Sequence, residues 1–206
     1  MSYEKKFKVI LDFWSTLCTL LRKRIFLITG VPGTGKTTVL WNVVKALKEV
    51  GYSIGGMLSR EIREGSKRLG FEILSLSSSK RGLLAHINQK TGPQIGKYRI
   101  NIEDLNRVGA QSIAEAVEKY DIVVIDEIGP MELFSGEFKE ATQKALDSSK
   151  VVVAVIHYRA EARLITGAKK RQDMEMFQVT LENRDHLHKK IAERAVKSLR
   201  SNIESI

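Results

Sequence analysis

The chain has 206 residues, 43% of them hydrophobic, which is enough apolar material for a packed core and too much for a disordered chain. Its formal net charge of +10 favours anionic partners such as nucleotides, nucleic acid or acidic surfaces, although a lysine-rich surface on a soluble protein carries the same charge. Cys18 is the only cysteine, which excludes an intrachain disulfide and a cysteine-based metal site and fits a reducing cytoplasm.

Residues 1–23 read as an N-terminal amphipathic helical extension. Phe7, Ile10, Leu11, Trp14, Leu17, Cys18 and Leu21 recur every three or four positions, the spacing of one helical face, suited to docking on the domain or on a partner. The basic start has the look of a signal peptide. Asp12 interrupts the apolar run, however, and no small-residue cleavage site precedes Arg22, Lys23 and Arg24. The run is also short of the ~20 apolar residues that a transmembrane helix needs.

Residues 24–206 read as one domain with a β-rich insertion at about 52–102. Arg24 to Thr29 is a short apolar run, the pattern of a buried strand. Lys36 to Val50 is helical, with Leu40, Val43, Val44 and Leu47 on one face and Gly51 as its stop. Two β-like runs surround the turn Glu64-Gly65-Ser66 and predict a hairpin. "LLAHI" and "KYRINI" predict two more short strands around the polar loop "NQKTGPQIG".

Asp104 to Tyr120 returns to helix, with Leu105, Val108, Ile113, Ala116 and Val117 inward, and "DIVVIDEIG" follows as a second buried strand. Ser135 is placed to cap the helix "GEFKEATQKALD". Val151 to His157 is a third buried strand, "MFQVT" a fourth, and Glu182 to Arg200 a closing helix. Strands alternating with helices imply an α/β fold with right-handed crossovers and a mostly parallel sheet covered on both faces.

Between the first strand and its helix lies "GVPGTGKTT". Gly30, Gly35, Lys36 and Thr37 satisfy the phosphate-loop (Walker A) pattern G-x-x-x-x-G-K-[ST], in the strand–loop–helix context that it requires. Gly30, Gly33 and Gly35 permit backbone angles closed to other residues, so successive N–H groups turn inward around an anion at the helix N-terminus. Lys36 is expected between the β- and γ-phosphates, and the Thr37 hydroxyl as one Mg²⁺ ligand. Thr38 either touches an α-phosphate oxygen or only starts the helix.

Such a loop needs a carboxylate at the end of a neighbouring strand to hold the metal, and Asp126 closes Ile122-Val123-Val124-Ile125 in the manner of a Walker B strand. Glu127, directly after it, is a second acid able to orient or deprotonate a water for in-line attack. Its ordinary alternative is pairing with a basic neighbour. His157 ends its strand at the same edge, as a sensor of the γ-phosphate or as a packing residue. Arg159, Arg163, Arg171 and the pair Lys80-Arg81 are candidates for neutralising phosphate charge.

The blocks "GVPGTGKTT", "GGMLSREIREG", "GFEI", "KRGLLAHI", "IGKYRINIEDL", "VVIDEIGPMELFS" and "FQVTLENRD" resemble, in order, the small P-loop nucleoside-triphosphatases of thermophilic archaea and bacteria, whose animal relatives are described as cancer-related nucleoside-triphosphatase. The resemblance covers about Ile25 to Asp185. It implies Mg²⁺-dependent hydrolysis of nucleoside 5'-triphosphates, ATP and GTP among them, to diphosphate and phosphate with broad base specificity. It further implies a RecA-like three-layer α/β/α fold whose sheet is extended by antiparallel strands. Nucleotide contacts would come from Gly30, Val31, Pro32, Gly33, Thr34, Gly35, Lys36, Thr37 and Thr38, and from Ile122, Val123, Val124, Ile125, Asp126, Glu127, Ile128 and Gly129. The first twenty-odd residues depart from the pattern, and Pro130 stands where the resemblance leads one to expect lysine in many relatives.

A cytoplasmic hydrolase is the reading to test, with Lys36 and Glu127 as its catalytic residues. One alternative is a nucleotide or small-molecule kinase, with Lys80 to Asn101 lining an acceptor pocket. Another is a nucleotide-switched module that binds protein or nucleic acid, a partner for which the sequence holds no recognition motif. Nothing in the sequence fixes the oligomeric state.

Overall fold

The computed structural model describes residues 22–203. The amphipathic stripe expected between Phe7 and Leu21 lies outside the described residues. Nine strands, β1 (Ile25–Thr29), β2 (Ile54–Glu64), β3 (Lys67–Ser75), β4 (Arg81–His86), β5 (Gln94–Ile95), β6 (Tyr98–Ile100), β7 (Ile122–Ile128), β8 (Val151–Ile156) and β9 (Met174–Gln178), form one sheet in the order β5-β6-β4-β3-β2-β7-β8-β1-β9. From β2 to β9 across that order all pairings are parallel. On the other side of β2, the strands β3, β4, β6 and β5 continue the sheet antiparallel, as the hairpin signals require. The α/β sheet extended by antiparallel strands is thus as expected.

Alternation along the central strands divides the core in two. Phe26, Ile28, Val124 and Val153 face helices α1 (Lys36–Glu49) and α5 (Leu187–Ile203). Ile25, Leu27, Val123, Ile125 and Ala154 face the opposite layer, which holds α2 (Gln111–Lys119), α3 (Gly136–Asp147) and α4 (Arg163–Lys169). Side chains of this kind contribute ~1.5–3 kcal/mol each when fully buried, so the parallel strands are the stable floor on which the loops at their C-terminal ends are mounted. Gly56 shows how closely β2 and β7 approach. Its φ is +110°, and a β-carbon there would lie 2.0 Å from the Val124 carbonyl oxygen.

Several local expectations change. The helix predicted over Asp104 to Tyr120 is an α-turn at Ile102–Asp104, a π-helical segment at Leu105–Ala110, and then α2. The wider turn places Leu105, Val108, Gly109 and Ala110 all inside, more than one face of a regular helix presents. The loop "NQKTGPQIG" contributes β5, and β9 begins two residues earlier than the apolar run suggests. Helix α5 starts at Leu187 instead of Glu182. Asn183 braces the intervening turn by accepting from the Thr180 N–H (2.9 Å) and donating to the Gln178 carbonyl (2.9 Å). Ser135 caps α3 as predicted, its hydroxyl accepting from the Phe138 N–H at 2.9 Å.

Candidate active site

The loop Gly30–Gly35 leaves β1 and enters α1 at the C-terminal edge of the sheet. Val31, Pro32 and Gly33 form its exposed tip, while Thr34 is buried and its hydroxyl donates to the Val31 carbonyl at 2.9 Å. Gly33 and Gly35 have φ of +83° and +95°, left-handed values that close the turn at the start of α1. The Lys36 ammonium reaches back across the loop to the Val31 carbonyl at 3.4 Å. Lysine, loop amides and the helix N-terminus therefore converge on one concavity suited to a polyphosphate.

Strand β8 lies between β1 and β7, so the acids of β7 stand two strands from the loop. Side chains close that gap. The Thr37 hydroxyl donates to Asp126 Oδ1 at 3.4 Å, and the Ser59 hydroxyl, from β2, donates to Asp126 Oδ2 at 3.4 Å. Asp126 is buried, and burial, reinforced by the neighbouring Glu127 charge, pushes its carboxyl up to about 7 against the pull of Thr37 and Ser59. Burial also raises Glu127, opposed by the nearby charges of Lys36 and His157. Asp126 and Glu127 sit where the β7–β8 register shifts between Ile125 and Ile128, a bulge that turns the chain at the rim.

A third acid joins them. Glu132, in the short turn Glu132–Phe134, is only 5% exposed, and its carboxyl is raised to about 8 by burial, with the Glu127 and Asp126 charges adding and backbone hydrogen bonds at Glu132 and Gly129 opposing. A β-carbon on Gly129 would lie 2.9 Å from Glu127 Oε1 and 3.0 Å from Glu132 Oε2. Glycine there leaves room for the two carboxyl groups side by side.

Of the segment expected to contact nucleotide, Ile122, Val123, Val124 and Ile125 are fully buried with both backbone edges paired. Their strand carries the acids Asp126 and Glu127 to the rim. Ile128 is buried too, and its carbonyl accepts from the His157 N–H at 3.2 Å. His157 does stand by Glu127, and its Nδ1 accepts from the Arg159 N–H at 3.3 Å. Arg171 is held elsewhere, bonded to Asp147 (2.7 Å) and Asp173 (2.9 Å) at the N-terminal edge of the parallel strands. Arg81, at the start of β4, lies 4.0 Å from Glu72, and Arg159 and Arg163 are exposed.

Sequence reasoning missed Ser59, Glu132 and Arg184. Ser59 follows a run of buried residues in β2, a polar intrusion that was the one available signal. Arg184 comes from the turn before α5, and a β-carbon on Gly35 would lie 3.7 Å from its Cδ, so the arginine stem passes over the phosphate loop. Its nearest acid is Asp185, at 3.8 Å.

Hard oxygen donors from Thr37 and Asp126, facing each other in a pocket of buried acids, suit a small divalent cation that keeps several waters and phosphate oxygens as its other ligands.

A phosphate loop on β1, with an acid-tipped strand two positions away in a parallel sheet, defines a P-loop nucleotide-binding α/β protein. The chain belongs to the NTPase family, whose model matches residues 25–192. The nucleoside-triphosphatase THEP1 of Thermofilum pendens is 44% identical over 168 residues, covering 81% of this chain and 92% of the relative. That of Methanopyrus kandleri is 42% identical over 173 residues, covering 84% and 95%. The crystal structure of THEP1 from Aquifex aeolicus superposes with a TM-score of 0.71 at 28% identity, covering 81% of this chain and 96% of that one. The solution structure of a human cancer-related nucleoside triphosphatase gives 0.70 at 31% identity, covering 83% and 96%. These relatives are hydrolases by name, and the kinase reading of Lys80 to Asn101 finds no support among them.

Proposed function

We propose that this protein hydrolyses nucleoside 5'-triphosphates, with Mg²⁺, to nucleoside diphosphate and phosphate, and discriminates little among bases. The observation that carries the reading is the approach of the Thr37 hydroxyl to Asp126, which brings the phosphate loop and the β7 acids to one place. The loop amides and Lys36 grip the β- and γ-phosphates. Thr37 and Asp126 would hold the metal, which when bound would offset the charge of the phosphates. Glu127 orients the attacking water and draws on its proton, and the charges of Lys36 and His157 favour its ionised form against burial. Arg184 supplies a cation against the nucleotide from above the loop. Residues 24–206 act as one catalytic domain, and nucleotide substrates with a single cysteine fit a cytoplasmic protein.

The test follows the γ-phosphorus. In ¹⁸O-labelled water, with γ-labelled ATP or GTP and a panel of nucleosides and nucleotides present, the label is expected in free phosphate carrying one solvent oxygen. Transfer to an acceptor faster than release of phosphate would overturn the reading.

A further inference from the structure

The phosphate loop and the β7 acids account for one end of a nucleoside triphosphate, and the nucleoside end needs its own contacts. The Thr37–Asp126 approach puts the metal-binding oxygens, and with them the β- and γ-phosphates of a bound triphosphate, on the β7 side of the loop. In the sheet order β7-β8-β1-β9, the opposite flank of the loop is β9. A triphosphate is a chain with the nucleoside at its far end, so the nucleoside leaves the loop on the β9 side.

The turn between β9 and α5 forms that flank, and it packs directly on the loop. The Val179 N–H donates to the Thr29 carbonyl at 2.7 Å, and a β-carbon on Gly30 would lie 2.7 Å from the Val179 carbonyl oxygen. Leu181 is 67% exposed, more than any other large apolar side chain among the described residues, and Val31, at the tip of the phosphate loop, is 46% exposed. Arg184 lays its stem over Gly35, and its nearest acid, Asp185, is 3.8 Å away. An apolar side chain left in water gains by being covered, and a planar guanidinium stacks on an aromatic ring. Asn183, the turn's one amide side chain, is engaged within the turn. It accepts from the Thr180 N–H and donates to the Gln178 carbonyl, both at 2.9 Å.

We propose that this turn is the nucleobase platform of the site, with the base lying against the Leu181 side chain and the Arg184 guanidinium. The platform, which rests on the triphosphatase reading above, is the part of the site that meets the base. Both contacts are made with the face of the ring, which every base presents, so they hold any base and tell few apart. Strong rejection of a wrong base needs a hydrogen-bonding group that the wrong base leaves unpaired, and Leu181 supplies none. Leu181 is therefore the residue that gives the nucleoside its affinity without giving the site a choice of base.

Leu181→Ala tests this at an exposed position where the fold tolerates the change. Inorganic tripolyphosphate is the control, since it offers the phosphate chain without a base. In the variant, KM for ATP, GTP, CTP and UTP should each rise about fivefold, with kcat within about twofold of wild type. The inhibition constant of tripolyphosphate, competing with ATP, should stay within about twofold. Three results would overturn the proposal: KM unchanged for all four nucleotides; KM raised for one base alone, which means that a base edge is read; and tripolyphosphate weakened in step with the nucleotides, which means that the phosphate loop itself is disturbed. Dissociation constants for the four nucleoside diphosphates, taken without turnover, should show the same fivefold loss. A wild-type protein that released no phosphate would refute the hydrolysis reading, and these dissociation constants would still decide the platform.

Discussion

Glu132→Gln is a substitution whose effect follows chiefly from burial, with the neighbouring Glu127 and Asp126 charges adding to it. The wild-type carboxyl is 5% exposed and is pushed from an ordinary 4.5 to about 8. Because the folded value lies above the unfolded one, its stabilising contribution is complete below about pH 4.5 and is lost as pH rises through about 8. Between those limits the folded protein holds one more proton than the unfolded chain, so stability falls by up to ~1.4 kcal/mol per pH unit. From about pH 5 to about pH 8 the loss from this group is on the order of 4 kcal/mol. Asp126, raised from 3.8 to about 7, adds a loss of the same sign over its own interval. The glutamine variant keeps the shape and removes only the Glu132 part. Urea denaturation of metal-free, nucleotide-free protein across this range should therefore give a shallower decline for the variant, and the two proteins should differ most in slope near neutrality. Parallel curves would refute the reasoning, for they would mean that Glu132 ionises freely in the folded state.

Three other substitutions address separate parts of the account. Lys36→Ala should weaken triphosphate binding and cut turnover together, by on the order of a hundredfold or more in kcat/KM; steady-state rates and nucleotide titration check this. Arg184→Ala should raise KM about tenfold with kcat little changed, the pattern of a lost binding contact, and an unaltered KM would remove Arg184 from the site. Gly56→Ala forces a side chain into a backbone of φ +110° and against the Val124 carbonyl at 2.0 Å, so thermal melts should fall by on the order of 10 °C or more.

What the sequence revealed was what neighbouring residues decide. The runs Ile25–Thr29, Ile122–Ile125 and Val151–Ile156 are apolar enough to be buried strands, and the glycines of the phosphate loop declare its turn. Sheet order was not legible, since nothing local says that β8 lies between β1 and β7. Glu132 is invisible for a similar reason. In "GPMELFS" it reads as an ordinary surface acid, and only the turn after β7 carries it inside beside Glu127. Arg184 sits in a stretch with helical composition, and its place over the loop depends on Asn183 delaying the helix by bonding back to Gln178 and Thr180 at the end of β9. Ile122 to Ile125 were legible as a strand, but not that both of its edges are paired, by β2 and β8.

The claim beneath all of this is that Glu127 acts on water while Lys36, Thr37 and Asp126 hold the metal-bound triphosphate. Glu127→Gln measures it most directly, with dissociation constants for Mg²⁺–triphosphate and single-turnover rates taken on the same preparation. Affinity within about twofold of wild type and a rate lower by on the order of 10²- to 10³-fold is the predicted result. A rate close to wild type, or an affinity that falls in step with the rate, would contradict it.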